Sequence, residues 1–105
     1  MKVNIKATNL ELTPAIKSYI EEKMTMLEKY LGDTSVINTD FEVELTTKHH
    51  NKGEIFRAEV NLSLAREMLR VEKTESDLYK AIDKVKDHLK ILIVDHKEKL
   101  LAKKR

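Results

Sequence analysis

Four stretches of the chain alternate apolar with polar residues, and two others repeat apolar residues at helical spacing. Residues 2–8 set Val3, Ile5 and Ala7 against Lys2, Asn4, Lys6 and Thr8, the period-two pattern of a half-buried strand. Residues 36–48 set Ile37, Thr39, Phe41, Val43 and Leu45 against Asp40, Glu42, Glu44 and Thr46. The polar stretch KHHNKG, 48–53, then reads as a turn. After it, Phe56, Ala58, Val60, Leu62 and Leu64 face inward on a third run, which predicts a hairpin. A shorter strand follows around Met68–Lys73, with Leu69 and Val71 on its core side.

Between the first two strands, Ile16, Ile20, Met24, Leu27 and Leu31 trace one helical stripe. Thr13 is placed to cap its free amides, and Pro14 suits the first helical position, where no N–H is needed. Gly32 is placed to end it in a left-handed conformation. The last third predicts a long helix from about Ser76 to Ala102, roughly 40 Å at 1.5 Å per residue. Thr74 or Ser76 is its expected cap, and Asp77 suits the positive end of its dipole. Leu78, Ile82, Val85, Leu89, Leu92, His96 and Leu100 form its expected stripe, and its C-terminal end is expected to project past the sheet.

The order is β-α-β-β-β-α. One apolar face per strand and one stripe per helix pack most economically as an α+β two-layer sandwich. Both helices then cover one face of a four-stranded, mostly antiparallel sheet, and residues 1–105 form a single domain. Asp40, Glu42 and Glu44 fall on the open face, so any site for an anionic partner belongs on the helix side.

Charge sharpens this. Charged residues make up 36% of the chain, but 20 basic against 18 acidic side chains leave a net charge of only +2. Any attraction for nucleic acid must come from placement rather than total charge. The chain has no cysteine, which excludes disulfides and Cys-based metal sites, and suits a reducing cytoplasm. No segment is apolar for long enough to cross a membrane as a helix, and MKVNIKATNL lacks the apolar stretch of a signal peptide.

At 100° per residue, Tyr19, Lys23, Met26 and Tyr30 line one flank of the first helix. Lys80, Lys84, His88, Ile91, Asp95 and Lys99 line a flank of the last. Side by side, these two flanks are expected to meet at a groove, where lysines attract phosphate and tyrosine rings suit unpaired bases. The same pattern also fits solvated lysines and tyrosines that complete the core.

Several segments carry a family resemblance: NLELTPAI at 9–16, KMTMLEKYL at 23–31, SDLYKAIDKV at 76–85 and HKEKL at 96–100. Together they resemble the ribosome hibernation-promoting factors, the ribosome-associated inhibitor A or YfiA family, and the element order resembles a double-stranded-RNA-binding domain. The resemblance covers nearly the whole chain, and the run Asp77 to Asp83 is its most specific part. It implies a short-form protein that binds the small ribosomal subunit in the channel used by mRNA and tRNA and silences idle ribosomes. It also implies RNA contacts from basic residues on both helices. Lys23, Lys29 and Lys97 match such positions.

Other positions depart from the family. Met26 stands where a lysine is common, KATN replaces Gly-Arg-Asn, and His88, Ile91 and Asp95 occupy positions where cations are expected. Lys80, Lys84, Lys86 and Lys90, with His88 as a conditional cation near neutral pH, are expected to compensate by shifting the basic band toward the start of the helix.

Two further readings stay open. Ile91, Val94 and Leu101 lie away from the core stripe and suit self-association or a protein partner, so a protein-interaction module of the same fold with weakened RNA binding is the alternative. A general binder of double-stranded RNA is the third. Adjacent His49 and His50 lack the further ligands of a metal site. With no Gly-rich phosphate loop, nucleophile elbow or local carboxylate pair, neither catalysis nor a cofactor is expected.

Overall fold

The computed structural model describes residues 1–46 and 53–103. The strands are β1 (Asn4–Thr8), β2 (Val36–Thr46), β3 (Ile55–Leu64) and β4 (Met68–Glu75), and the helices are α1 (Pro14–Thr25), α2 (Glu28–Leu31) and α3 (Leu78–Lys103). The sheet runs β1-β2-β3-β4, with β1 parallel to β2 and the other pairs antiparallel. All three helices cover one face, and a single cluster centred on Ile20, Met24, Phe41, Val60, Leu62, Ile82 and Leu89 joins the two layers. This is the expected α+β two-layer order. The stretch expected to form the hairpin turn, with His49 and His50, lies outside the described residues.

Thr13 Oγ1 accepts the Ile16 N–H at 3.2 Å, and Pro14 opens α1. The predicted single first helix is, however, two pieces. Thr25 Oγ1 donates to the Glu21 carbonyl, and the Leu27 N–H goes back three residues to Met24 rather than four. Tightening and side-chain back-bonding of this kind interrupt a helix. The stripe survives the break, because Leu27 and Leu31 stay buried. Gly32 ends α2 at φ 54°, in the left-handed region, and its N–H reaches the Glu28 carbonyl.

Three expectations are corrected. The alternation of β2 does not hold at its start. A register shift between Val36 and Asn38 turns Ile37 out to solvent, 68% exposed, while Val36 packs on the core. A bulge adds one residue and inverts the faces on either side of it. In α3, Ile93 and Ala81 are fully buried, whereas Leu92 is only partly covered. The helix cap is Asp77, not Thr74 or Ser76. Its Oδ1 accepts the Tyr79 N–H at 2.9 Å and its carbonyl accepts the Ala81 N–H, while Thr74 is still in β4.

Candidate nucleic-acid interface

α1–α2 and α3 run in the same direction, and side-chain contacts join them in matching order. At the start, the Tyr19 and Tyr79 rings meet edge to face, centroids 4.8 Å apart and planes at 87°. The Tyr19 hydroxyl donates to Asp83 Oδ1 at 2.6 Å. Lys23 lies over the Tyr19 ring, 5.0 Å from its centroid, and 3.5 Å from the same carboxylate oxygen. The hydrogen bond to Asp83, then burial, push the Tyr19 phenol up to about 12. It stays a donor at any ordinary pH, which fixes the ring.

Farther along, Tyr30 from α2 is flanked by Lys29, 5.2 Å from its ring centroid, and by Lys90 of α3, 4.8 Å away. Cations over an aromatic face are attracted by its quadrupole. Hydrogen bonding from Lys90 and the charge of Lys29 hold the Tyr30 phenol below its ordinary pKa. At the far end, Lys97 Nζ lies 3.2 Å from where a β-carbon on Gly32 would stand. Lys86 sits one turn from Asp83 on the same flank of α3, its ammonium 2.8 Å from Asp87. The furrow between the helices thus carries Lys23, Lys29 and Lys90 over tyrosine rings and Lys86 and Lys97 beside them, with Asp83 paired to Lys23 and Asp87 to Lys86.

The expectation that Lys80, Lys84 and His88 face the first helix is corrected. Lys84 pairs with Glu75 of β4, and Lys80 Nζ is 4.0 Å from the same carboxylate. Lys84 as hydrogen-bond donor holds Glu75 below the usual carboxylate range. His88 shares an open recess with Lys73, Lys84 and Ile91 beside β4, and Lys99 pairs with Glu67 at 3.7 Å. These residues occupy the opposite flank of α3. The furrow flank instead carries Tyr79, Asp83, Lys86, Lys90 and Lys97. An apolar stripe has two flanks, and helical spacing alone does not tell which one meets a neighbour. Tyr79 and Asp83, both inside the most specific segment of the resemblance, were the available signal.

His96 is buried on the stripe, its Nδ1 2.6 Å from Glu67 Oε1, a contact that lowers the Glu67 pKa. Ile91 and Leu101 are exposed, 56% and 59%, while Val94 is half-buried.

The open sheet face is different. Arg57 reaches Glu42 at 2.8 Å and Glu44 at 2.7 Å, with Glu59 and Glu72 each at 3.6 Å, and Arg70 holds Glu59 at 2.6 Å. Burial opposes the Arg57 charge, but the hydrogen bonds to Glu44 and Glu42 outweigh it and raise the Arg57 pKa. Acids outnumber bases there, as the strand pattern predicts, so the furrow lies on the side better suited to phosphate.

Known proteins match this architecture. A crystal structure of the N-terminal domain of Protein Y from Thermus thermophilus superposes with a TM-score of 0.71 at 31% identity, covering 89% of this chain and 98% of that one. A ribosomal subunit interface protein from Coxiella burnetii superposes equally well, TM-score 0.71 over 93% of this chain and 99% of its own, but at 14% identity shows the fold alone. Among curated relatives, the ribosome hibernation promotion factors of Bacillus subtilis (strain 168) and Lactococcus lactis subsp. cremoris (strain MG1363) are 37% and 32% identical over all 105 residues. The chain spans about half the length of these relatives, 53% and 54%. The family model described as Sigma 54 modulation protein / S30EA ribosomal protein matches residues 3–101. With that match over nearly the whole chain, the chain belongs to the Sigma 54 modulation protein / S30EA ribosomal protein family.

Proposed function

We propose that this chain is a ribosome hibernation factor, a non-catalytic single domain that acts in the cytoplasm. It binds the small subunit, lays the furrow between its helices on rRNA in the mRNA and tRNA channel, and so keeps idle ribosomes from translating. The names of its relatives support the ribosome as partner. The observation that carries the RNA contact is the file of Lys23, Lys29, Lys86, Lys90 and Lys97 along one helix–helix seam, with Lys23, Lys29 and Lys90 over the rings of Tyr19 and Tyr30. A structured phosphate backbone meets such a file as a row of charge contacts, and each contact releases a counterion. Lys80, Lys84 and His88 face the other edge of α3 and serve as a peripheral basic border in this reading, with Glu75 paired to Lys84 and 4.0 Å from Lys80.

The test is co-sedimentation with separated small and large subunits over a salt series, with tRNA and message as competitors. Binding restricted to the small subunit, steeply weakened by salt and displaced by the competitors, is the expected result. Equal affinity for free duplex RNA would make the chain a general duplex binder instead. A second reading, the protein-interaction module, draws on the exposure of Ile91 and Leu101. It predicts little subunit binding together with self-association through Ile91, Val94 and Leu101, which light scattering at rising concentration detects.

A further inference from the structure

We propose that Tyr79 walls a pocket for one unpaired nucleobase of the RNA held in the furrow, with the base stacked on its ring. The inference rests on the RNA-binding reading above and adds a site to it. Three observations carry it.

The first is the ring itself. Tyr79 is 39% exposed, whereas Tyr19 and Tyr30 are half-buried. Its contact with Tyr19 is perpendicular, 87° between planes, and such a contact uses at most one face of either ring. Lys23 lies over Tyr19, so the pair offers one aromatic face at Tyr79 while Tyr19 acts as its brace. The Tyr79 backbone is held by its N–H to Asp77, and Tyr19 is fixed by Asp83, so the platform is oriented before any ligand arrives.

The second is the space beside it. An open recess of about 500 Å³ adjoins Tyr79 at the N-terminal end of the helix–helix seam, lined on its apolar side by Leu10, Ile16, Phe56 and Leu78. The recess is shallow and open to solvent, and an apolar floor beside an aromatic ring suits one flat face of a stacked base.

The third is the rim, where Glu11 and Asp77 stand. Two carboxylates repel phosphate, so the backbone stays in the lysine furrow. Carboxylates also accept hydrogen bonds from the exocyclic amines of adenine, cytosine and guanine. Asp77 gives one oxygen to the Tyr79 N–H, and among the described residues its other oxygen has no such partner. Phosphate is thus drawn to the lysines farther along the seam and a base to its acidic N-terminal end at Tyr79, as for a nucleotide turned out of a stack.

The experiment compares small-subunit binding by wild-type protein, Tyr79→Phe, Tyr79→Leu and Tyr79→Ala across a salt series, with circular dichroism to check folding. Stacking on an aromatic side chain predicts a loss of about 5- to 150-fold for the Leu and Ala variants and a change within about twofold for Phe. The salt slope stays the same, because no cation is removed. Tyr79→Trp supplies a single tryptophan to a chain that has none, and its emission should be quenched by the small subunit. A folded Tyr79→Leu variant that binds as tightly as wild type, or an unquenched Trp variant that binds, overturns the stacking site alone. Wild-type protein that fails to bind the small subunit overturns the RNA-binding reading and the pocket with it.

Discussion

Removing the charge of Lys90 separates the furrow from the opposite flank of α3. Lys90 lies 4.8 Å from the Tyr30 ring centroid on the seam with α2, whereas Lys84 is paired with Glu75 toward β4. If Lys23, Lys29, Lys86, Lys90 and Lys97 each displace one counterion on exchanging any carboxylate partner for phosphate, as Lys23 and Lys86 must, the slope of log K against log salt reaches about −3.5 to −4.5, using 0.7–0.9 per contact. Between 50 and 200 mM salt, affinity then falls by roughly 100- to 500-fold. Lys90→Gln should flatten that slope by about 0.7–0.9 and weaken binding at every salt concentration. Lys84→Gln should leave the slope within about 0.3 of wild type, since its charge sits off the seam and is shared with Glu75. Lys90→Arg keeps both the charge and the ring contact and should bind as wild type does. The assay is fluorescence anisotropy of labelled protein titrated with small subunits at four salt concentrations. Equal effects of Lys84→Gln and Lys90→Gln on the slope would refute the assignment of the furrow.

Further outcomes follow from the core and the open face. Ile93→Ala should cost about 2–5 kcal/mol in urea unfolding, because Ile93 has no exposed surface, while Leu92→Ala at its partly covered position should cost less than about 2 kcal/mol. Thr39→Val should stabilise the protein by about 1 kcal/mol, since the Thr39 hydroxyl is buried without a hydrogen-bond partner among the described residues; the urea midpoint checks this. Thr8 and Arg57, hydrogen-bonding to the Glu42 carboxylate, hold its pKa below the usual 4.5 in the folded protein. That contribution is fully present above pH 4.5 and is lost as the pH falls through the lower folded value, so Glu42→Gln should be less stable at neutral pH and lose less stability on acidification than wild type. Thermal unfolding from pH 7 to pH 3 reads both effects.

Much of this architecture is legible in the alternation of apolar residues, because strand faces and helix stripes are local consequences of burial. The stripe Ile16–Leu31 and the inward set Ala58, Val60, Leu62 and Leu64 are buried as their spacing predicts. What local pattern does not carry is irregularity and neighbourhood. Ile37 continues the alternation on paper, yet the bulge beside it turns it outward. Ile93 and Leu92 are adjacent, apolar and equally plausible on a wheel, and only the fit against the sheet buries the first. The site suffers from the same gap. Lys84 and Lys90 are chemically alike and both flank the stripe, but the position of α2 beside α3 puts Lys90 in the furrow and leaves Lys84 against β4.

The lattice of Arg57 with Glu42, Glu44, Glu59 and Glu72 gives the molecule two electrical personalities back to back. Its shortest dimension is 18 Å, while mobile ions screen charge over about 8 Å in physiological salt. A polyanion touching the helices therefore responds to the lysines before it and scarcely to the acids behind. Turned the other way, the same protein meets repulsion. If the partner is the RNA surface proposed above, a chain close to neutral in total thus approaches it with a preferred side forward, and its orientation is selected during the encounter.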